Sequence, residues 1–199
     1  MVIELLKFSI PIAECDLFVA RNEAVWAKGL REHPGFVKHE VWRDLKNPTD
    51  VYIAIDWETY ADWKSFPLEK IKQLDAQMGG NWPAVGCLEL DIILHDDEVA
   101  VRYPNMIIEF LKFAIPDGEG EAFVQRNEAI WTAELRRQPC FICHEIWRNR
   151  VDPQEFYIVI YLKSYESLMQ FPDEKIPLLD AQMSPQWLPK GAFLADVLV

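Results

Sequence analysis

Arg21-Asn22-Glu23-Ala24, in the first half of a 199-residue chain, returns in the second half as Arg126-Asn127-Glu128-Ala129. Leu6-Lys7-Phe8 returns as Leu111-Lys112-Phe113, and Asp75-Ala76-Gln77-Met78 as Asp180-Ala181-Gln182-Met183, each time 105 residues later. Met1 to Leu94 therefore aligns without a gap on Met106 to Val199. About 40 of about 94 positions are identical, far more than two unrelated amphipathic segments share. The chain is one unit written twice. The stretch from His95 to Asn105 has no counterpart; it is polar with a proline near its end, which suits a linker. The expected organisation is thus residues 1–94, a linker at 95–105, and residues 106–199.

Within one copy, Val2 to Ile10 is rich in β-formers and is closed by Pro11. Glu14 to Glu32 carries Phe18, Val25, Trp26 and Leu30 at helical spacing and stops at Pro34-Gly35. Phe36 to Leu45 and Val51 to Trp57 flank Asn47-Pro48-Thr49-Asp50, a turn cluster that predicts a hairpin. Thr59 to Met78 is a second helical region broken at Pro67, and Gly86 to Leu94 is a last strand. The order βαββαβ predicts an α+β fold, a ferredoxin-like unit with both helices on one face of an antiparallel sheet. Both parities of the strands are rich in large side chains: Val51, Ile53, Ile55 and Trp57 on one, Tyr52 and Ala54 on the other. Both faces should therefore be covered. The natural cover is the other copy's sheet, giving two tandem units packed sheet to sheet as an intramolecular dimeric α+β barrel, an internal pseudo-dimer able to form a further homo-oligomer.

Half of the residues are apolar and 26% are charged, with a formal net charge of −12. This composition excludes disorder and disulfide mini-scaffolds, and its acidity disfavours nucleic acid and anionic membrane as partners. Cys15, Cys87, Cys140 and Cys143 have no even spacing, so a reducing, cytoplasmic location is expected. The amino-terminal stretch, interrupted by Glu4 and Lys7, lacks a signal-peptide core, and no stretch is long enough for a membrane span.

Pro34-Gly35-Phe36, Glu40, Trp42-Arg43, Asn47-Pro48 and Trp57-Glu58-Thr59, echoed by Pro139, Phe141, Glu145, Trp147-Arg148 and Pro153, resemble the antibiotic-biosynthesis-monooxygenase group of the dimeric α+β barrel superfamily. The resemblance implies a ligand pocket between sheet and helices in each half, used in some members for cofactor-free oxidation of aromatic compounds and in others for haem degradation. The tryptophan of the haem-degrading branch falls on Trp57 but on Leu162 in the second copy. Its axial histidine would fall near Asp75 to Gln77, where neither copy has one. Iron needs an axial ligand, so no haem and no other cofactor is expected.

The candidate site follows from the repeat. Asn22 and Trp26, and Asn127 and Trp131, lie four apart on the first helix and would share a face. With Tyr52, Trp57 and Tyr157 on the strands they form the expected ligand-binding set, and Trp82 and Trp187 are further aromatic candidates. His39 and His144 are the candidate catalytic groups, as the proton-transfer residues the sequence offers; of His39-Glu40 and of His144-Glu145, only one residue can face a given pocket. Asp75 and Asp180 stand where a helix C-terminus disfavours acid, which implies a tertiary contact. Cys140-Phe141-Ile142-Cys143-His144 spells a haem-attachment string, but on a strand Cys143 and His144 point oppositely and the first copy has Gly35 and Lys38 in place of the cysteines. No metal site is expected, zinc included. The copies differ at Asp56/Tyr161, Trp57/Leu162, Trp63/Leu168 and Lys38/Cys143, so two unequal pockets are expected, the first better suited to an aromatic ligand. The function that fits is a cofactor-independent monooxygenase acting on a small aromatic or polyketide-like compound. The alternatives are a non-catalytic ligand-binding or stress-related barrel and an interaction scaffold.

Overall fold

The computed structural model describes residues 1–96 and 103–199. Most of the expected linker, 97–102, lies outside the described residues. The chain divides into two compact units, residues 1–91 with 197–199 (unit 1) and residues 92–196 (unit 2). Among the described residues no helix is long and apolar enough to cross a membrane.

Unit 1 begins with β1 (Val2–Ser9), then a long helix α1 over residues 15–31, the hairpin β2 (Phe36–Asp44) and β3 (Asp50–Trp57), two helices α2 (Tyr60–Lys64) and α3 (Leu68–Met78), and β4 (Ala84–His95). The strands pair antiparallel in the order β4-β1-β3-β2, with Glu4 opposite Ile55 on one side and Glu89 on the other. This is the ferredoxin-like arrangement. Strand alternation sends Val2, Glu4, Leu6 and Phe8 toward the helices. There Val2, Phe18, Leu30, Val41, Ile53 and Trp57 are buried in one apolar cluster. Each such large side chain contributes about 1.5–3 kcal/mol by leaving water. Ile3, Leu5 and Ala54, of the opposite parity, are buried as well.

Local chemistry fixes the helix ends. Gly35 takes φ +82° after α1, a left-handed conformation natural to glycine, and its carbonyl accepts the Glu58 N–H at 2.7 Å. Thr59 caps α2 by accepting the Asp62 N–H at 3.1 Å, and Pro67 precedes α3, which ends at Gly79 with φ +64°. The Arg21 guanidinium donates to the Met78 carbonyl and lies over the Trp82 ring, tying α1 to the end of α3.

Unit 2 repeats the plan: β5 (Ile107–Ala114), α4 over residues 120–135, β6 (Phe141–Asn149), β7 (Glu155–Leu162), α5 (Tyr165–Leu168), α6 (Lys175–Asp180) and β8 (Gly191–Val197). Its strands run in the order β8-β5-β7-β6. The second helix is shorter because Pro177 replaces Lys72. A helix begun at the position matching Leu68 would place that proline where its missing N–H and its ring break the ladder.

In both units the first helix loosens into one π-helical turn, Glu23–Ala27 and Glu128–Thr132, at matching positions. Such turns widen the helix locally and re-aim its side chains.

Candidate active site

A cavity of about 560 Å³ lies in unit 1 between the sheet and α1, α2 and α3. From the sheet it is lined by Glu4, His39, Ile53, Ile55 and Trp57; the helices add Asn22, Trp26, Trp63, Phe66 and Asp75. Aromatic contacts hold its walls. Trp26 stacks on Phe66 with centroids 6.3 Å apart, and Trp57 is wedged edge-on among His33, Phe36 and Phe66. Trp82, past the end of α3, also lines the cavity and donates its indole N–H to Glu14 at 2.6 Å.

Unit 2 holds a smaller counterpart of about 330 Å³, lined among others by Glu109, Asn127, Trp131 and His144. Trp131 stacks on Phe171 at 6.4 Å. Of the residues expected from sequence, Asn22, Trp26, Trp57 and His39 meet around the first cavity, and Asn127, Trp131 and His144 around the second; Trp82 and Trp187 join them.

Tyr52 and Tyr157 do not. Strand alternation sends Ile53, Ile55 and Trp57 to the helices and Tyr52 the other way, and Tyr157 likewise diverges from Ile158 and Ile160. Tyr52 packs under the Lys7 ammonium, 5.6 Å from the ring centroid, and Tyr157 donates to Glu155 at 2.7 Å and lies 5.2 Å from Phe110. Neither tyrosine is in the lining of these two cavities.

The two histidines have different surroundings. The His39 side chain is 2% exposed, with Nδ1 3.2 Å from the Glu23 carboxylate. His144 is enclosed completely, Nδ1 2.9 Å from Asp96 and Nε2 2.7 Å from Glu128 and 3.2 Å from the Thr132 hydroxyl. Burial works to raise the Asp96 carboxyl, but its hydrogen bonds to His144 and Arg136 outweigh this and hold it below the ordinary carboxylate range. With both ring nitrogens committed, His144 has no edge left to offer a ligand. Glu40 and Glu145, the sequence neighbours of the histidines, face the other way and accept the indole N–H groups of Trp42 and Trp147.

Thr132 marks a further difference. Its hydroxyl donates to Asn127 Oδ1 at 3.3 Å. The matching residue in unit 1 is Ala27, and there Asn22, 2% exposed, keeps Oδ1 buried with no hydrogen-bond partner. A buried acceptor left unmade costs about 1–3 kcal/mol, so a ligand hydroxyl that reached it would recover that cost. Asp75 and Asp180 make the tertiary contact the sequence implied: each accepts a side-chain hydrogen bond from the first-helix tryptophan, Trp26 or Trp131, and burial raises both carboxyls.

Glu4 and Glu109 are two polar cavity residues that sequence reasoning passed over. They occupy matching positions on the first strand of each copy. Burial pushes Glu4 up from 4.5 to about 7, against the lowering influence of the nearby Trp57 indole and the charge of Lys64, with Glu89 adding to the rise. Burial alone raises Glu109. The available signal was parity: an acid flanked at i−2, i+2 and i+4 by Val2, Leu6 and Phe8 must sit in the same helix-covered layer as they do.

Haem fits this constellation poorly. The second-helix residues lining the first cavity are Ile71, Asp75 and Met78, and Asp75 is already engaged by Trp26, so that helix presents no imidazole to iron. Among the described residues no group of three or more His, Cys, Asp or Glu side chains is placed to hold a metal ion.

Residues 1–66 match the family model described as antibiotic biosynthesis monooxygenase. No curated protein sequence matches the chain. Among solved structures the chain is similar to a candidate monooxygenase from Lactobacillus acidophilus NCFM, at 12% identity and TM-score 0.70, covering 99% of this chain and 92% of that one. It is similar to an anthrone oxidase-like protein at 13% identity and TM-score 0.65, covering 100% and 91%. A haem-degrading enzyme from Listeria monocytogenes aligns at 7% identity and TM-score 0.54, covering 98% and 99%. At such identities these likenesses carry the fold, and they extend over both units.

Proposed function

We propose that unit 1, whose residues 1–66 match the antibiotic biosynthesis monooxygenase family model, is a cofactor-independent monooxygenase cavity for a flat, hydroxylated polycyclic compound with an acidic methylene, of anthrone type. The observation that carries this reading is Asn22, which lines an aromatic-walled cavity and whose buried Oδ1 has no hydrogen-bond partner. A cavity of about 560 Å³ falls within the range of about 300–1,000 Å³ that suits such ligands. Trp26 and Trp57 offer ring faces and edges, and Asn22 accepts a ring hydroxyl, which fixes the ligand's orientation.

The reaction needs only dioxygen and a base. Removing one methylene proton leaves a carbanion delocalised over the ring ketone. Its electron pair goes to dioxygen, first as one electron and then by recombination, forming a C–O bond. The peroxide is protonated, the second methylene proton leaves, and the O–O bond breaks with loss of water. One oxygen atom becomes the new carbonyl and the other becomes water, so methylene plus dioxygen gives ketone plus water. The buried aromatic walls exclude bulk water from the carbanion.

The test is a titration of tryptophan fluorescence with 1,8-dihydroxyanthrone in wild type and Ala27→Thr, with oxygen uptake recorded alongside. The substituted threonine should give Asn22 the internal partner that Asn127 has, and weaken binding by about tenfold, the equivalent of about 1.4 kcal/mol. Unchanged affinity in Ala27→Thr would remove Asn22 from the reading. Binding without oxygen uptake would favour a ligand-binding barrel without catalysis.

A further inference from the structure

We propose that Glu4 is the base that takes the proton from the substrate, and that its repeat counterpart Glu109 does not serve this role. The inference rests on the oxygenase reading of unit 1 and adds to it the group that moves the proton and the half of the molecule that works. Glu4 lines the cavity on β1, in the same layer as Ile55 and Trp57 of β3. The charged and titratable groups around it come from four elements. Glu89 lies directly opposite on β4 with Cys87 nearby, Lys64 and Tyr60 come from α2, and His39 on β2 and Asp75 on α3 line the same cavity.

Three of these form a chain. Glu89 accepts the Tyr60 hydroxyl at 2.9 Å and the Lys64 ammonium at 2.8 Å, and Lys64 is 43% exposed. Glu4 therefore sits between an apolar cavity and a polar cluster that reaches solvent, an arrangement through which a proton taken from a ligand can be exchanged. The value near 7 that burial gives its carboxyl suits a group that must both take and return a proton.

Unit 2 has lost the cluster. Glu109 faces Leu194 across the β5–β8 pairing where Glu4 faces Glu89, and Met169 stands in the place of Lys64. Burial raises Glu109. The Thr132 hydroxyl also occupies the Asn127 acceptor. Glu109 therefore lacks the polar cluster that gives Glu4 a route for proton exchange.

His39 is the rival. It lines the same cavity, but its Nδ1 is 3.2 Å from the carboxylate of Glu23 in the π-helical turn. In the proposed step the Glu4 carboxylate removes the methylene proton, and the carbanion's electron pair bonds to dioxygen. The protonated Glu4 then returns its proton to the peroxide. Glu4 next takes the second methylene proton as the O–O bond breaks, and gives it to the departing hydroxide as water.

The experiment measures oxidation of 1,8-dihydroxyanthrone by oxygen uptake, and binding of 1-naphthol by tryptophan fluorescence, in wild type, Glu4→Gln, Glu4→Asp, Glu109→Gln and His39→Gln. Wild-type kcat/KM should rise with pH through about 7. Glu4→Gln should lower it by about 10²–10⁴-fold while still binding naphthol, Glu4→Asp should keep a pH-dependent residue of activity, and Glu109→Gln should match wild type. Retained turnover in Glu4→Gln, an equal loss in Glu109→Gln, or a pH profile that vanishes only in His39→Gln would overturn the proposal. If wild type oxidises no anthrone, the oxygenase reading falls and naphthol judges Glu4 alone. Affinity that rises with pH through about 7 in wild type and stays level in Glu4→Gln retains Glu4 as the cavity's proton acceptor, because a carboxylate binds a hydroxyl more strongly than a carboxylic acid does. A level profile in both proteins overturns it.

Discussion

Replacing Glu4 with glutamine should make the protein more stable, and only at high pH. The folded-state value of about 7 stands above the unfolded value of 4.5, so folding favours the protonated form. A group raised in this way contributes its full stability below about pH 4.5 and loses it as the pH climbs through about 7. At about 1.4 kcal/mol per unit, wild type gives up at most about 3 kcal/mol between those limits. Glutamine has the same shape, remains neutral, and escapes that loss. Urea unfolding of wild type and Glu4→Gln, followed by tryptophan fluorescence from about pH 4 to about pH 9, reads the difference directly. The curves should nearly coincide at the acid end and separate by about 2–3 kcal/mol at the alkaline end, with the steepest divergence below pH 7. Parallel curves would show that Glu4 is ionised in the folded protein as freely as in water, and would refute both its burial and its use as a tuned base.

Asp96→Asn should show the opposite pH sign: His144 and Arg136 hold Asp96 below its ordinary range, so the stability advantage of wild type should be present at neutral pH and close as the pH falls below about 4. Gly35→Ala should cost about 2–3 kcal/mol in urea unfolding, because the residue adopts φ +82° and a Cβ there would lie 2.4 Å from Asp62, whose amide is held by the Thr59 cap. Trp26→Phe keeps the ring that stacks on Phe66 but removes the donor to Asp75; it should raise the Asp75 carboxyl further and destabilise by about 1 kcal/mol, measurable by the same unfolding assay.

The repeat made most of this architecture legible. Strand parity and the breaks at Pro34-Gly35 and Pro67 place every strand and helix of unit 1 within a few residues of where they lie. Asn22 and Trp26 were legible because residues four apart share a helix face, and the π-helical turn that follows Asn22 keeps both on the cavity. Tyr52 was misassigned against the same logic, since it stands five residues from Trp57 and an odd separation on a strand puts two side chains on opposite faces. Glu4 was overlooked because it served as a polar interruption of an apolar amino terminus; its meaning depends on Glu89, Lys64 and Trp57, which only the folded sheet brings to it. The orphaned Asn22 acceptor depends on the Ala27/Thr132 difference, which acquires a meaning once the helix geometry aims that position at the amide.

The central claim is that unit 1 inserts an oxygen atom from dioxygen without a cofactor. Purified protein treated with a chelator and supplied with 1,8-dihydroxyanthrone under ¹⁸O₂ tests it most directly by mass spectrometry of the product. The account predicts 1,8-dihydroxyanthraquinone carrying one ¹⁸O in its new carbonyl, formed faster than in buffer, with one dioxygen consumed per product and the rate lost in Glu4→Gln. Product formed at the buffer rate, or an acceleration that appears only after haem or a metal ion is added, would contradict it.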